Sequence, residues 1–239
     1  MRQWLRRLGW LGLITLVLGP AGAGGARAAA PRGVPAPGPP RPTALNPVAA
    51  PQVAGYLWFA ATRHTLYGAF RAYWEAHGGL AQFGYPLSEA FTTPLPGTLG
   101  SHTVQYFERA RFEFHPEIGG PAGSVALGLL GSDLTHGGTV FPTAPPFATA
   151  AQDRYFPQTR HALHGLFYAY WQDHGGQAIY GYPISEELLQ QSAGNGRVYL
   201  VQYFQRNRLE LHPEGRGTAA EVQLGLLGSE WLRVQGWLP

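Results

Sequence analysis

The run Val104-Gln105-Tyr106-Phe107-Glu108-Arg109-Ala110-Arg111-Phe112-Glu113-Phe114-His115-Pro116-Glu117 returns 97 residues later as Val201-Gln202-Tyr203-Phe204-Gln205-Arg206-Asn207-Arg208-Leu209-Glu210-Leu211-His212-Pro213-Glu214. Each copy predicts a hairpin. Thr103 to Phe107 and Arg111 to His115 read as strands, with Glu108-Arg109-Ala110 connecting them. In the second strand Phe112 and Phe114 alternate with Arg111, Glu113 and His115, and in the later copy Leu209 and Leu211 alternate with Arg208, Glu210 and His212. The apolar set changes from Phe to Leu while the polar set is unchanged. A period of two puts the sets on opposite faces of a sheet. The pattern therefore predicts one face on a core and one charged face open to solvent or ligand.

The repeat extends outward from this hairpin. Phe59, Thr62-Arg63-His64, Tyr73-Trp74, His77-Gly78-Gly79, Gly84-Tyr85-Pro86 and Ser88-Glu89 recur as Phe156, Thr159-Arg160-His161, Tyr170-Trp171, His174-Gly175-Gly176, Gly181-Tyr182-Pro183 and Ser185-Glu186. Leu127-Gly128-Leu129-Leu130-Gly131-Ser132 recurs as Leu224-Gly225-Leu226-Leu227-Gly228-Ser229, all at one offset. A fixed internal period is read before any other feature. It predicts an α+β chain of two tandem homologous modules, 55–135 and 152–239, each a helix packed on a small antiparallel sheet or hairpin. Leu66, Phe70, Tyr73, Trp74 and His77 share one helical face, as do Leu163, Phe167, Tyr170, Trp171 and His174. Thr62 is placed to cap the helix N-terminus and Gly78 to end it in a left-handed conformation. Gly68 and Gly165 read as helix-interior glycines, each costing ~1 kcal/mol relative to Ala, which predicts a backbone packed closely against them.

The ends of the chain carry a different signal. Arg2, Arg6 and Arg7 precede an apolar run from Leu8 to Leu18, and Ala26-Arg27-Ala28 or Ala28-Ala29-Ala30 offers a small-residue cleavage site. Residues 1–30 thus have the layout of a secretory signal peptide, with an uncleaved anchor as the other reading. The expectation is an exported protein held at the cell surface or wall, with no transmembrane segment after signal cleavage. Residues 31–54, rich in Pro and Ala, read as a semi-rigid spacer, and 136–151 as a second Pro-rich linker. Four of the seventeen basic residues lie in the first 30 positions and all fourteen acidic ones lie beyond, so residues 31–239 carry a net charge of about −1. That leaves no basic stripe for nucleic acid. There is no cysteine, which excludes a disulfide framework and a lipid-modified cysteine. Stability then rests on apolar burial.

The series Gly78, Gly79, Gly84, Tyr85, Pro86, Ser88 and Glu89, followed by Gln105, Phe107 and Pro116, with the partners 97 residues on, resembles LGFP-type repeats, the cell-surface modules of secreted bacterial proteins. The resemblance covers roughly half of each module. It departs where the family's Leu before the Gly is Phe83 or Tyr180, where its hairpin Gly is Arg109 or Arg206, and in the longer spacing between copies. It implies attachment to a cell-wall polymer, polysaccharide or peptidoglycan, without catalysis.

Against loops that have drifted apart, a short polar set is unchanged between the copies. Arg111, Glu113 and His115, with Arg208, Glu210 and His212, form the sharpest cluster. They are read as a solvated charge ladder or as a polar platform for sugar hydroxyls, flanked by Tyr85 and Tyr182 and by Arg63-His64 and Arg160-His161. His77 suits a cation at a helix C-terminus. Zinc would need three or four converging ligands, and His64, His77, His115 and Glu117 are the set that could supply them. The spacing carries no zinc-protease motif, no nucleophile elbow and no phosphate loop. No catalytic residue, metal or cofactor is therefore expected. A secreted, metal-dependent hydrolase of envelope polymers and a structural interaction repeat are the alternatives.

Overall fold

The computed structural model describes residues 39–95, 100–118, 124–192 and 194–239. The signal-peptide reading of 1–30 lies outside them. The chain is mixed α+β, with six α-helices and four small antiparallel sheets among the described residues. Two short strands, β1 (Leu57–Phe59) and β2 (His64–Leu66), form a hairpin. Helices α1 (Gly68–Ala76) and α2 (Gly79–Phe83) follow, and then a four-stranded meander of β3 (Phe91–Pro94), β4 (Ser101–Tyr106), β5 (Arg111–His115) and β6 (Ser124–Leu127), closed by α3 (Leu130–Leu134). The order then recurs: hairpin β7 (Asp153–Phe156) and β8 (His161–His164), α4 (Gly165–Asp173), α5 (Gly176–Tyr180), meander β9 (Leu188–Gln191), β10 (Val198–Tyr203), β11 (Arg208–Leu211) and β12 (Val222–Leu224), and α6 (Leu227–Val234).

The hairpin around residue 108 has the expected place, with Tyr106 paired to Arg111 and Thr103 to Phe114. The start of the helix differs from expectation. Leu66 belongs to strand β2, Tyr67 takes the N-cap position, and Thr62 sits in the β1–β2 turn. Gly68 is the first helical residue, not an interior one. Its φ is +57° and a side chain there would meet nothing, so backbone conformation, not a close neighbour, requires glycine. Gly78 is left-handed as expected, and it opens directly into α2.

The described residues belong to one compact unit. The proline-rich stretches lie on it. Leu45 is buried, Arg41 Nε donates to Trp237 O at 2.9 Å, and Trp237 Nε1 donates to Pro39 O at 3.0 Å. Val48 N donates to Arg63 O at 2.8 Å, and Ala144 N to Arg160 O at 3.0 Å. Extended segments leave their backbone groups free for such pairing, so residues 39–54 are anchored rather than standing off as a spacer.

The two halves meet through a reciprocal interface. Ser132 N donates to Gln205 O at 3.0 Å, and Ser229 N to Glu108 O at 3.1 Å. Arg109 Nε donates to Leu224 O at 3.1 Å, while Arg206 Nη1 donates to Leu127 O. Each of these four contacts has its counterpart 97 residues away, which is the signature of a two-fold, self-complementary contact. First-turn N–H groups of α3 and α6, unpaired within their own helices, find acceptors in the opposite half. Two hydrophobic clusters fill the interior, and both take residues from each half, for example Phe70 and Phe112 with Phe167 and Leu209, and Tyr106 and Leu130 with Val201 and Leu227.

Candidate functional site

The charged ladder is sealed. Arg111 is 3% exposed, Glu113 8%, Arg208 1% and Glu210 3%. The reason lies across the strand. Val104 faces Glu113 and Tyr106 faces Arg111 in the register, so the ladder shares its side of the sheet with apolar residues that belong to the second hydrophobic cluster. The expected open polar face is corrected accordingly. Phe112 packs on the α1 side and Arg111 on the α3 side, and β5 is covered on both.

Once buried, the ladder must be paired. Arg111 Nη2 lies 2.7 Å from Glu113 Oε1, and Arg111 Nη1 lies 3.0 Å from Asp133 Oδ2 on α3. In the second half Arg208 Nη2 is 2.5 Å from Glu210 Oε1 and 2.8 Å from Glu230 Oε1 on α6. Burial works against the Arg208 charge, but Glu230, Tyr203 and Glu210 outweigh it, and the guanidinium is held more firmly protonated than an ordinary one. Gly128 and Gly225 leave the space these arginines occupy, since a Cβ at either would overlap the Arg–Glu pair.

Other identical polar residues, Gln105, Ser88, His64 and Glu89 with their counterparts, staple the small hairpin to the sheet. Gln105 Nε2 donates to Thr65 O at 2.7 Å and to Ser88 O at 2.8 Å, and Gln202 Nε2 to Ala162 O and Ser185 O at the same two distances. His64 and His161 are buried, with Nδ1 3.1 Å from Glu89 and Glu186 respectively. Arg63 and Arg160 are exposed turn residues with φ of +58° and +59°, so neither shares a surface with its neighbouring histidine. Tyr85 and Tyr182 are half-buried against Phe59 and Phe156. His77 Nδ1 donates to Tyr73 O at 2.8 Å and stacks on the Tyr73 ring, which agrees with a role at the helix end. The set His64, His77, His115 and Glu117 does not converge. His64 is committed to Glu89 and His77 to Tyr73, leaving only His115 and Glu117 in contact, at 2.7 Å.

Glu89 offers a pH test of this staple. Burial would raise its pKa, but hydrogen bonds from His64 and Thr65 prevail and hold the carboxyl below its ordinary value. Its folded pKa therefore lies under its unfolded one, and its contribution is present above the unfolded value and lost as pH falls through the folded one. Glu89→Gln is expected to cost about 1–3 kcal/mol near pH 7. The gap between the thermal melts of the two chains should begin to narrow as pH falls below the ordinary Glu value of about 4.3; a gap that stays constant from pH 7 to pH 3 contradicts the assignment.

Open surface lies elsewhere, beside the N-terminus of each long helix. Tyr67, Ala69, Phe70, Ala90, Thr103 and Phe114 line an open depression of about 150 Å³. Its equivalent, about 140 Å³, is lined by Leu166, Phe167, Glu187, Leu200 and Leu211. Tyr67 is 41% exposed and Tyr56 40%, and their rings lie 4.6 Å apart at the rim of the first depression. At the corresponding rim His164 bonds Asp153 at 2.8 Å and stacks on Phe147 at 5.5 Å. Repeat identity could not find these residues, because they are the ones that differ between the halves. Aromatic type next to a short hairpin was the only sequence signal for Tyr56 and Tyr67.

No helix among the described residues is long and apolar enough to cross a membrane. Comparison with protein-family models, with curated proteins and with solved structures gives no match to this chain.

Proposed function

We propose that this chain is a secreted, non-enzymatic cell-surface protein that binds cell-wall polysaccharide or peptidoglycan, built from two copies of one module. The reading rests on the signal-like first 30 residues, the LGFP-like motifs and one structural observation, the pair of exposed tyrosines whose rings lie against each other, tilted by 36°, at the edge of an open apolar depression. Flat rings with a wet edge suit the apolar face of a sugar, and the shallow opening suits a chain that passes through rather than a small molecule that is enclosed. The equivalent depression supplies a second contact. Both belong to one compact unit, so the fold, not a linker, sets their spacing for avidity. The charged ladder takes no part in binding on this account, and Arg111→Ala reports on folding.

Tyr56→Ala with Tyr67→Ala is expected to weaken binding to purified cell-wall material in co-sedimentation by about five- to 150-fold, each of the two stacking contacts being worth ~0.5–1.5 kcal/mol, while the melting temperature changes little. Unchanged pull-down by the folded double variant, or no binding by the parent chain to any envelope fraction, sinks the reading.

The structural interaction repeat has support of its own. The surfaces that are identical between the halves are spent on each other, which is what a repeat specialised for self-pairing would do.

A further inference from the structure

A second cluster, separate from the depressions, lies where β4 and β5 diverge. His102 and His115 are cross-strand neighbours one step beyond the Thr103–Phe114 pair, with ring centroids 4.8 Å apart. Glu117 lies in the turn after β5. His115 Nδ1 is 2.7 Å from Glu117 Oε1, and His102 Nε2 is 3.8 Å from the same oxygen. One ligand atom from each of the three residues lies within 4.8 Å of the others.

We propose that His102, His115 and Glu117 form a binding site for a first-row divalent transition metal, of which Zn²⁺ is the reference ion. Four observations carry this. Two imidazoles and one carboxylate are a donor set suited to zinc and its neighbours, not to calcium or magnesium, which require oxygen ligands. A tetrahedral zinc needs donors about 3.3 Å apart, given bonds of about 2.0–2.2 Å, and the present separations bracket that spacing. His102 is otherwise idle: Nδ1 is buried without a hydrogen-bond partner, and Nε2 stands too far from Glu117 for a hydrogen bond. Finally, His115 has an outer carboxylate in place. Its Nε2 is 3.4 Å from Glu113 Oε2, while Glu113 Oε1 is held by Arg111. A ligating histidine usually gives its other N–H to such a carboxylate, which orients the ring. The buried ladder thereby acquires a purpose at its open end.

The second half is an internal control. His212 and Glu214 repeat His115 and Glu117, but Tyr199 stands where His102 does. Tyr199 is buried, its hydroxyl donates to Glu214 Oε1 at 2.8 Å, and its ring packs against that of His212 with centroids 4.0 Å apart. A phenol satisfies that carboxylate internally. The two halves have thus diverged at the one ligand position that decides between a metal site and a closed hydrogen bond.

The test is calorimetric titration of the whole chain with Zn²⁺, with Ca²⁺ as comparison. The expected result is one Zn²⁺ per chain and no Ca²⁺ uptake. His102→Tyr and, separately, Glu117→Gln should each weaken Zn²⁺ at least about tenfold without changing the metal-free melting temperature by more than a degree or two. Tyr199→His should raise the stoichiometry to two. Failure of the parent chain to bind Zn²⁺ at concentrations up to about 100 μM, or binding that His102→Tyr leaves unchanged, overturns the site. A folded Tyr199→His chain that still takes one ion counts against this ligand set. None of these outcomes depends on polymer binding, so this site and the wall-binding reading fail independently.

Discussion

Gly228→Ala is expected to destabilise the chain by about 3 kcal/mol or more, and Gly131→Ala by a similar amount. A Cβ at Gly228 would overlap the carbonyl oxygen of Phe107, and one at Gly131 the carbonyl oxygen of Phe204. Backbone on a central hairpin cannot give way as the end of a flexible side chain can, and overpacking of this kind costs ~1–3 kcal/mol or more. Neither glycine has a positive φ, so the penalty comes from space and not from conformation. The same shift would pull Ser229 N away from Glu108 O, leaving a helix-end N–H unpaired at the interface. Chemical denaturation read by tryptophan fluorescence should show the midpoint fall for each single variant. If the double variant costs only what one does, the two contacts break as a unit, as a reciprocal interface requires. A loss below about 0.5 kcal/mol in both would show that the contact is looser than described.

Arg208→Ala should be comparably severe, about 3–5 kcal/mol, because it strands Glu210 and Glu230 without their cation. Arg208 is 1% exposed, and Glu210, 3% exposed, has only the His212 ring, at 3.3 Å, as another side-chain partner among the described residues. The discriminating variant is the triple Arg208→Met, Glu210→Gln, Glu230→Gln. Replacing a buried ion cluster as a whole is often neutral, so the triple should recover a large part of what the single loses. Equilibrium unfolding of the two variants gives the comparison directly. If Arg208→Ala alone were benign, the ladder would be solvated after all.

The hairpin at residues 103–115, the turn at Gly78 and the long helix were legible from alternation, glycine placement and 3.6-residue spacing. The first hairpin was not. Three-residue strands carry too few positions to show a period, and Leu66 happens to extend the apolar face of α1 by one turn. The ladder's burial was harder still. Arg111, Glu113 and His115 alternate as an exposed face does, and only their cross-strand neighbours Val104 and Tyr106, visible once the register is known, show that this face has its own apolar cover. Identity between the halves proved to select for interior contacts: Gln105 and Ser88 staple the hairpin, Gly128 makes room for a guanidinium, and Arg109 and Gly131 join one half to the other. The open rim and the proposed metal site are completed where the halves differ, at Tyr56, Tyr67 and His102, whose counterparts are Asp153, His164 and Tyr199.

The most direct test of the reciprocal interface is the association state of a single half. Residues 39–135 produced alone expose Gly131, Ser132, Arg109 and the shared apolar cluster, all shaped to receive an equivalent partner. Sedimentation equilibrium should find a homodimer that dissociates only as it unfolds. A well-folded monomer with cooperative melting and no tendency to self-associate would contradict it.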